Sequence, residues 1–325
     1  LGLSFVTSER AAEVLRSNPH DALLRVAYDG AEGVVYDAVR DGGFVIALLD
    51  SIERESTFTS NEGEVAATHT EKFDEIRESM TSEPASRVMG AEQSNTSIVL
   101  GEKLIMKLFR RLESGVNPDF EIGRFLTEHG FFNTPPVAGA IEMASSTGGE
   151  EPRTLGILQG FVPNRGDAWK YTLESLDATL KNALSDTEQL RDLRVPDRSV
   201  FELAKEQPPA PLTQLAGDYL RSVRLLGQRT AEMHVILDSD SEEPNFAPEE
   251  FSREYQRGVF NSMRRMAAGV LAMLRRNLQK LPEPEREQAR QLLTQENDLN
   301  ETFRAMIEAD FDTERTRIHG DYHLG

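Results

Sequence analysis

Hydrophobic and polar positions change rhythm twice along the chain. In residues 1–30 short β-like runs, Leu1–Val6 and Leu23–Tyr28, alternate with polar turns, and Val34 to Ile52 then has the period of an amphipathic helix. Residues 54–84 are polar and poorly periodic. The first 85 or so residues are therefore expected to form a separate small α+β unit. A β-rich stretch follows, with strands over Arg87–Met89 and Ser97–Phe109, a helix entered through Pro118 and running to Glu128, and strands near Val137–Met143 and Thr154–Val162. The segment SSTGGEEP, Ser145–Pro152, joins the last two strands as a hairpin loop would.

Beyond Asn164 the pattern is that of long helices. Leu212, Tyr219, Leu226 and Met233 recur at heptad spacing, with Ala216, Val223, Thr230 and Leu237 one turn on. Phe251, Tyr255, Val259, Met263, Met266, Val270 and Met273 mark a second stripe, and a third helix is expected from about Pro284 to Ile307, with Leu292, Leu299, Phe303 and Met306 inward. Methionine and aromatic stripes of this kind are read as core. QPPAP, Gln207–Pro211, separates the first helices of this region from the long one. The expected organisation is residues 1–85, a β-rich lobe over 86–163 and a helical lobe over 164–325, an α+β arrangement.

Composition removes several classes of function. No apolar run approaches the ~20 residues a membrane helix needs. With no cysteine the chain has neither disulfides nor a thiolate nucleophile or cysteine-based zinc site, which fits a cytoplasmic protein. A net charge of -19, from 55 acidic against 36 basic residues, argues against nucleic acid as a partner. The chain opens on LGLSFV with no methionine and no signal-peptide pattern, and reads as an internal fragment.

Against that background a few residues carry candidate chemistry. Lys107 is a lone cation in the apolar strand LIMKLF, Leu104–Phe109, the arrangement that places an ammonium on nucleotide phosphates. The competing reading is an edge-strand lysine with its ammonium in water. Glu121, on the next element in the chain, is the expected acidic partner, with Asp119 and Glu128 as competitors. The polar segment Glu92–Ser97, including Ser94, Asn95, Thr96 and Ser97, offers backbone N–H groups and hydroxyls to phosphate oxygens, and is equally a plain hairpin turn. There is no GxxxxGK[ST], so a Walker-type site is not expected.

The densest cluster of special residues is HGDYHLG, His319–Gly325. In protein-kinase-like catalytic loops an aspartate follows a histidine by two positions and a metal-binding amide follows that aspartate by five. Asp321 fits the first spacing, and the sequence given stops before the second, so metal ligands are expected beyond Gly325 and the 325-residue chain is expected to be inactive. His319, Asp321 and His323 also permit a different reading, as ligands of a metal-dependent hydrolase.

The chain resembles the bacterial maltokinases. The resemblance rests on GAEQSNTS (Gly90–Ser97), LIMKLFRRL (Leu104–Leu112), NPDFEIGRFL (Asn117–Leu126), LGILQGFVPNRGDAW (Leu155–Trp169), LGQRTAEMH (Leu226–His234) and RIHGDYHLG (Arg317–Gly325). It extends to GVVYDAVRDGGF (Gly33–Phe44), which resembles the helix of that family's N-terminal cap. These proteins occur alone or fused behind a trehalose synthase domain, and this chain resembles one lacking both ends. The resemblance implies a bilobal, aminoglycoside-phosphotransferase-type fold with an added cap and a helical C-lobe. It implies ATP- and Mg2+-dependent phosphorylation of the anomeric hydroxyl of maltose in α-glucan metabolism, possible association with a trehalose synthase, and neither nucleic acid nor membrane as partner. Lys107 would hold the nucleotide phosphates, Glu121 would fix Lys107, and Ser94, Asn95, Thr96 and Ser97 would form the phosphate loop. Gln159, Phe161 and Val162 would belong to the hinge that reads adenine. Asp321 would orient or deprotonate the sugar hydroxyl, among His319, Tyr322 and His323. The alternatives are a kinase of the same fold acting on glucosamine or another small molecule, a catalytically silent kinase-like domain, and the hydrolase.

Overall fold

The computed structural model describes the chain except residues 1, 18, 29, 62, 90–94, 146–150, 186–190, 192–193, 195, 240–241, 321–322 and 324–325. The chain divides into two compact units, residues 1–236 with 319–325, and residues 237–318.

The first unit opens with β1 (Leu3–Thr7), α1 (Ser8–Ser17), β2 (Ala22–Tyr28) and β3 (Ala31–Asp37), which form a three-stranded antiparallel sheet of order β1-β3-β2. Val6 and Ala11 close a small core with Val34 and Tyr36. The structure corrects the helix expected from Val34. Val34, Val35 and Tyr36 lie in the central strand of this sheet, where β-branched and aromatic side chains suit a pleated surface. Two aspartates then redirect the chain. Asp37 caps a single 3-10 turn, Ala38–Arg40, and Asp41 accepts the Gly43 N–H at 2.9 Å to start α2 (Gly42–Glu53).

The stretch that looked aperiodic holds β4 (Thr57–Thr59), β5 (Gly63–His69) and α3 (Glu71–Arg77). All three residues of β4 are exposed and β5 carries two alanines, so neither shows a clean alternation. Both strands join β6 (Ser86–Val88), β7 (Asn95–Leu100) and β8 (Leu104–Phe109), and beyond α4 (Pro118–Glu128) β9 (Val137–Ser145) and β10 (Arg153–Gly160). The result is one seven-stranded antiparallel sheet of order β4-β5-β9-β10-β8-β7-β6, which continues across residue 85.

Each face of this sheet has its own helical cover. Ile98, Leu100, Leu104, Met106 and Leu158 pack with Val45, Leu49 and Ile52 of α2 and Phe73 of α3, all almost wholly buried. On the other face Phe120 of α4 packs with Phe109, Val137, Ala140 and Ile157. Burying a side chain such as Phe120 contributes about 1.5–3 kcal/mol, enough to hold α4 on the sheet.

After the sheet come α5 (Ala168–Ser185), α6 (Val200–Leu203) and α7 (Ala210–Leu237). Tyr171 and Ser222 hydroxyls lie 3.0 Å apart and Tyr219 donates to Thr172 at 3.2 Å, tying α5 to α7. The long helix bends at Ala216, whose φ of -125° departs from helical values. In the second unit β11 (Glu249–Glu250) leads to α8 (Arg253–Asn277), α9 (Glu283–Thr294), α10 (Glu296–Glu308) and β12 (Glu314–Arg315), the last pairing with β11. Where a single third helix was expected, the backbone breaks at Gln295 into α9 and α10.

The reading of the helical stripes as core is also corrected. Met233 is buried, but Val223 is 44% exposed, and Met266, Val270 and Met273 are 70%, 54% and 56% exposed. In α8 the buried positions are Gln256 and Leu271, one step around the helix from that stripe. Gln256 is held there because its amide donates to the Ala309 carbonyl at 2.9 Å. No helix of the described residues is long and apolar enough to cross a membrane.

Candidate active site

Antiparallel pairing decides which candidate residues share a face. Lys107 of β8 stands opposite Ser97 of β7 and Ile157 of β10, Asn95 stands opposite Phe109, and Gln159 stands opposite Ile105. Opposed residues project to the same side and alternate residues return to it, so Asn95, Ser97, Lys107 and Gln159 lie on the face covered by α4. Ser97 and Gln159 are buried, and the Ser97 hydroxyl donates to Asn95 Oδ1 at 3.3 Å.

The cation of this group has a carboxylate beside it. Lys107 Nζ lies 3.6 Å from Asp119 Oδ2, with the lysine side chain 30% and the aspartate 61% exposed. The expected partner was Glu121. Both acids are in the first turn of α4, and at roughly 100° per residue two positions turn a side chain about 200° around the helix. Glu121, which is half-buried, therefore starts from a different side of the helix than Asp119.

What fixes Asp119 is the docking of α4 at both ends. Asn117 caps the helix by accepting the Asp119 N–H at 2.9 Å, and its own N–H donates to Thr154 Oγ1 of β10 at 3.1 Å. Near the other end the Thr127 hydroxyl donates to the Gly123 carbonyl at 2.7 Å and accepts the Val137 N–H of β9 at 2.9 Å. Between them Gly123 lets the helix come close. A Cβ there would stand 2.8 Å from Val137 Cγ2.

Thr96 goes the other way. Its side chain is buried on the opposite face, where its hydroxyl accepts Arg110 Nε at 2.8 Å, and Arg110 Nη1 pairs with Asp37. The register therefore splits the expected phosphate-loop residues, with Asn95 and Ser97 on the Lys107 side and Thr96 on the α2 side. Ser94 lies outside the described residues. At the expected hinge Gly160 N–H donates to Pro136 O and Phe161 N–H to Lys103 O, each at 2.8 Å. Val162 is 54% exposed and Phe161 half-buried.

Asp321 and Tyr322 lie outside the described residues, and His319 and His323 are exposed. Among the described residues no group of three or more His, Asp or Glu stands together as a metal site.

Two carboxyls on this framework are shifted. Burial on β9 raises the Glu142 carboxyl above the ordinary glutamate range, against the pull of Arg124 and a hydrogen bond from Thr154. Asp41 is lowered, chiefly by the Tyr36 hydroxyl at 2.7 Å and then by the Gly43 N–H and Arg10.

No family model matches the chain. Among solved structures it is similar to one described as a glucosamine kinase in complex with glucosamine, ADP and inorganic phosphate, with 17% identity and a TM-score of 0.54 over 93% of this chain. A second, a glucosamine kinase in crystal form A, gives 16% identity and a TM-score of 0.53 over 93% of this chain. The likeness is one of fold.

The chain has a kinase-like fold. It spans 56% of the length of the first of these kinases and 55% of the second. In this chain β8 and α4, which bear Lys107 and Asp119, are consecutive elements that meet in space. Sequence reasoning placed Asp119 second and missed Arg110, Asp37, Asn117 and Thr154 altogether. The signal for Arg110 was its parity, since it follows Leu108 and not Lys107 in the alternation of β8.

Proposed function

We propose that this protein transfers a phosphoryl group from ATP to a hydroxyl of a sugar, and that the sugar is maltose, phosphorylated at its anomeric hydroxyl. The observation that carries the reading is the ion pair of Lys107 with a carboxylate of α4, on the face shared with Asn95 and Ser97 and within a kinase-like fold. In this reading Lys107 holds phosphate oxygens of the nucleotide and a first-turn acid of α4, Asp119 or Glu121, holds Lys107. The backbone of β7 and of Ser94 to Ser97 carries the phosphates. Gln159, Phe161 and Val162 border the adenine. Asp321 accepts the proton of the attacking hydroxyl or orients it, with His319, Tyr322 and His323 around the sugar. Magnesium would neutralise charge on the transferring oxygens when bound. Residues 1–85 provide the cap and also β4 and β5 of the sheet that 86–163 complete as the nucleotide lobe, and 164–325 serve as the helical lobe.

The choice of maltose comes from the motif set, and the likeness to a glucosamine kinase structure supports glucosamine as a second reading. Kinetics of the full-length protein with ATP and each sugar separate them. A higher kcat/KM for maltose is expected. A higher value for glucosamine moves the substrate to the second reading, and no turnover of ATP with any sugar or amino sugar overturns the kinase reading.

A further inference from the structure

On the face of the sheet away from Lys107, three side chains form a closed chain of polar contacts. Arg110 directly follows β8, its Nε donating to the Thr96 hydroxyl of β7 at 2.8 Å and its Nη1 pairing with Asp37 at the end of β3. Thr96 is 5% and Asp37 9% exposed, and the guanidinium side chain is 24% exposed. Asp37 is itself fixed, because its Oδ1 accepts the Val39 N–H at 3.3 Å and its backbone N–H donates to Asp21 O at 2.9 Å. The planar fork of arginine offers two separate, rigidly spaced donors to oxygens from different elements, whereas a lysine offers a single rotatable ammonium.

Thr96 sits between Asn95 and Ser97, the two residues that share the Lys107 face. We infer that Arg110 is a positioning residue for the nucleotide phosphates, a strut that fastens the β7–β8 hairpin through Thr96 to Asp37 and so makes phosphate binding depend on the N-terminal sheet. The inference rests on the nucleotide reading of the Lys107 face. Its physical basis is that β6, the edge strand beyond β7, pairs only with Ile98–Leu100, so the Thr96 end of β7 lies past that ladder, where Arg110 ties it to Asp37. Removing the guanidinium leaves a buried carboxylate and a buried hydroxyl short of a partner, and the Thr96 end of β7 loses its tie to Asp37.

The test uses the 325-residue chain and, for turnover, the full-length protein, with Arg110→Lys, Thr96→Val and Asp37→Asn. Asp37→Asn keeps an oxygen to cap the following turn, and Thr96→Val keeps the volume of the side chain. Backbone hydrogen exchange over residues 95–109 is expected to speed up about tenfold in each variant, a change that a lost buried contact of ordinary size produces, with α4 and β9 unchanged. The KM for ATP is expected to rise by a similar factor, about tenfold, while the KM for the sugar stays within about twofold. Unchanged exchange in the hairpin overturns the strut. Faster exchange with an unchanged KM for ATP overturns the positioning role. Faster exchange in a protein whose wild type binds no nucleotide leaves the strut standing and removes the reading on which its purpose rests.

Discussion

Lys107 Nζ and Asp119 Oδ2 are 3.6 Å apart although they lie on different elements, a β-strand and the first turn of the helix packed across it. The pair is too exposed to matter much for folding. Solvent-exposed ion pairs contribute about 0–1 kcal/mol. The account therefore predicts that Lys107→Met changes Tm by less than about 3 °C, a small shift of the size a fraction of a kcal/mol produces, while ATP binding weakens at least about tenfold. Thermal melts and nucleotide titrations on the same preparations check both halves.

Asp119→Asn and Glu121→Gln separate the two first-turn acids. Asp119→Asn is expected to raise the KM for ATP several-fold by releasing Lys107. Glu121→Gln should do less, because the ion pair of Lys107 is with Asp119. A larger effect from Glu121→Gln in steady-state kinetics would make Glu121, the acid expected from the sequence, the functional partner of Lys107.

Gly123→Val tests whether the close approach of α4 to β9 sets the site. A Cβ at this position already meets Val137 at 2.8 Å, so the helix must back away. The expected cost is about 1–3 kcal/mol of stability from overpacking, read by denaturant unfolding, with a matching loss of nucleotide affinity.

Much of this fold was legible in the sequence, and the failures have identifiable causes. The strands around Lys107, the helix after Pro118 and the β9–β10 hairpin follow from apolar runs with clear turn signals. The strand of Val34 to Tyr36 was hidden because only DAVRDGG, Asp37–Gly43, separates its apolar residues from those of α2, and the break there is made by the caps at Asp37 and Asp41. The stripes on α7 and α8 misled because periodicity shows that a helix has an apolar face, not that something covers it. Asp119 was ranked below Glu121 by analogy of order, and the ion pair at 3.6 Å brings it forward as a partner of Lys107.

The pH dependence of stability offers another check. Asp41 is held below its ordinary pKa by the Tyr36 hydroxyl, so its contribution is fully present above the unfolded value of about 3.9 and is lost as pH falls through the lower folded value. Tyr36→Phe removes the largest cause of that shift. It is expected to cost about 1 kcal/mol at pH 7, and the gap to wild type should narrow as the pH is taken below the unfolded value and through the lowered folded one. A gap that widens on acidification would contradict the assignment.

The central claim is that the Lys107 face binds a nucleotide. Calorimetric titration of ADP into wild type and Lys107→Met, with magnesium and without, tests it most directly. The account predicts one site per chain in wild type and an affinity at least about tenfold lower in the variant, with both proteins equally folded by circular dichroism. Equal affinity in the two proteins would contradict it.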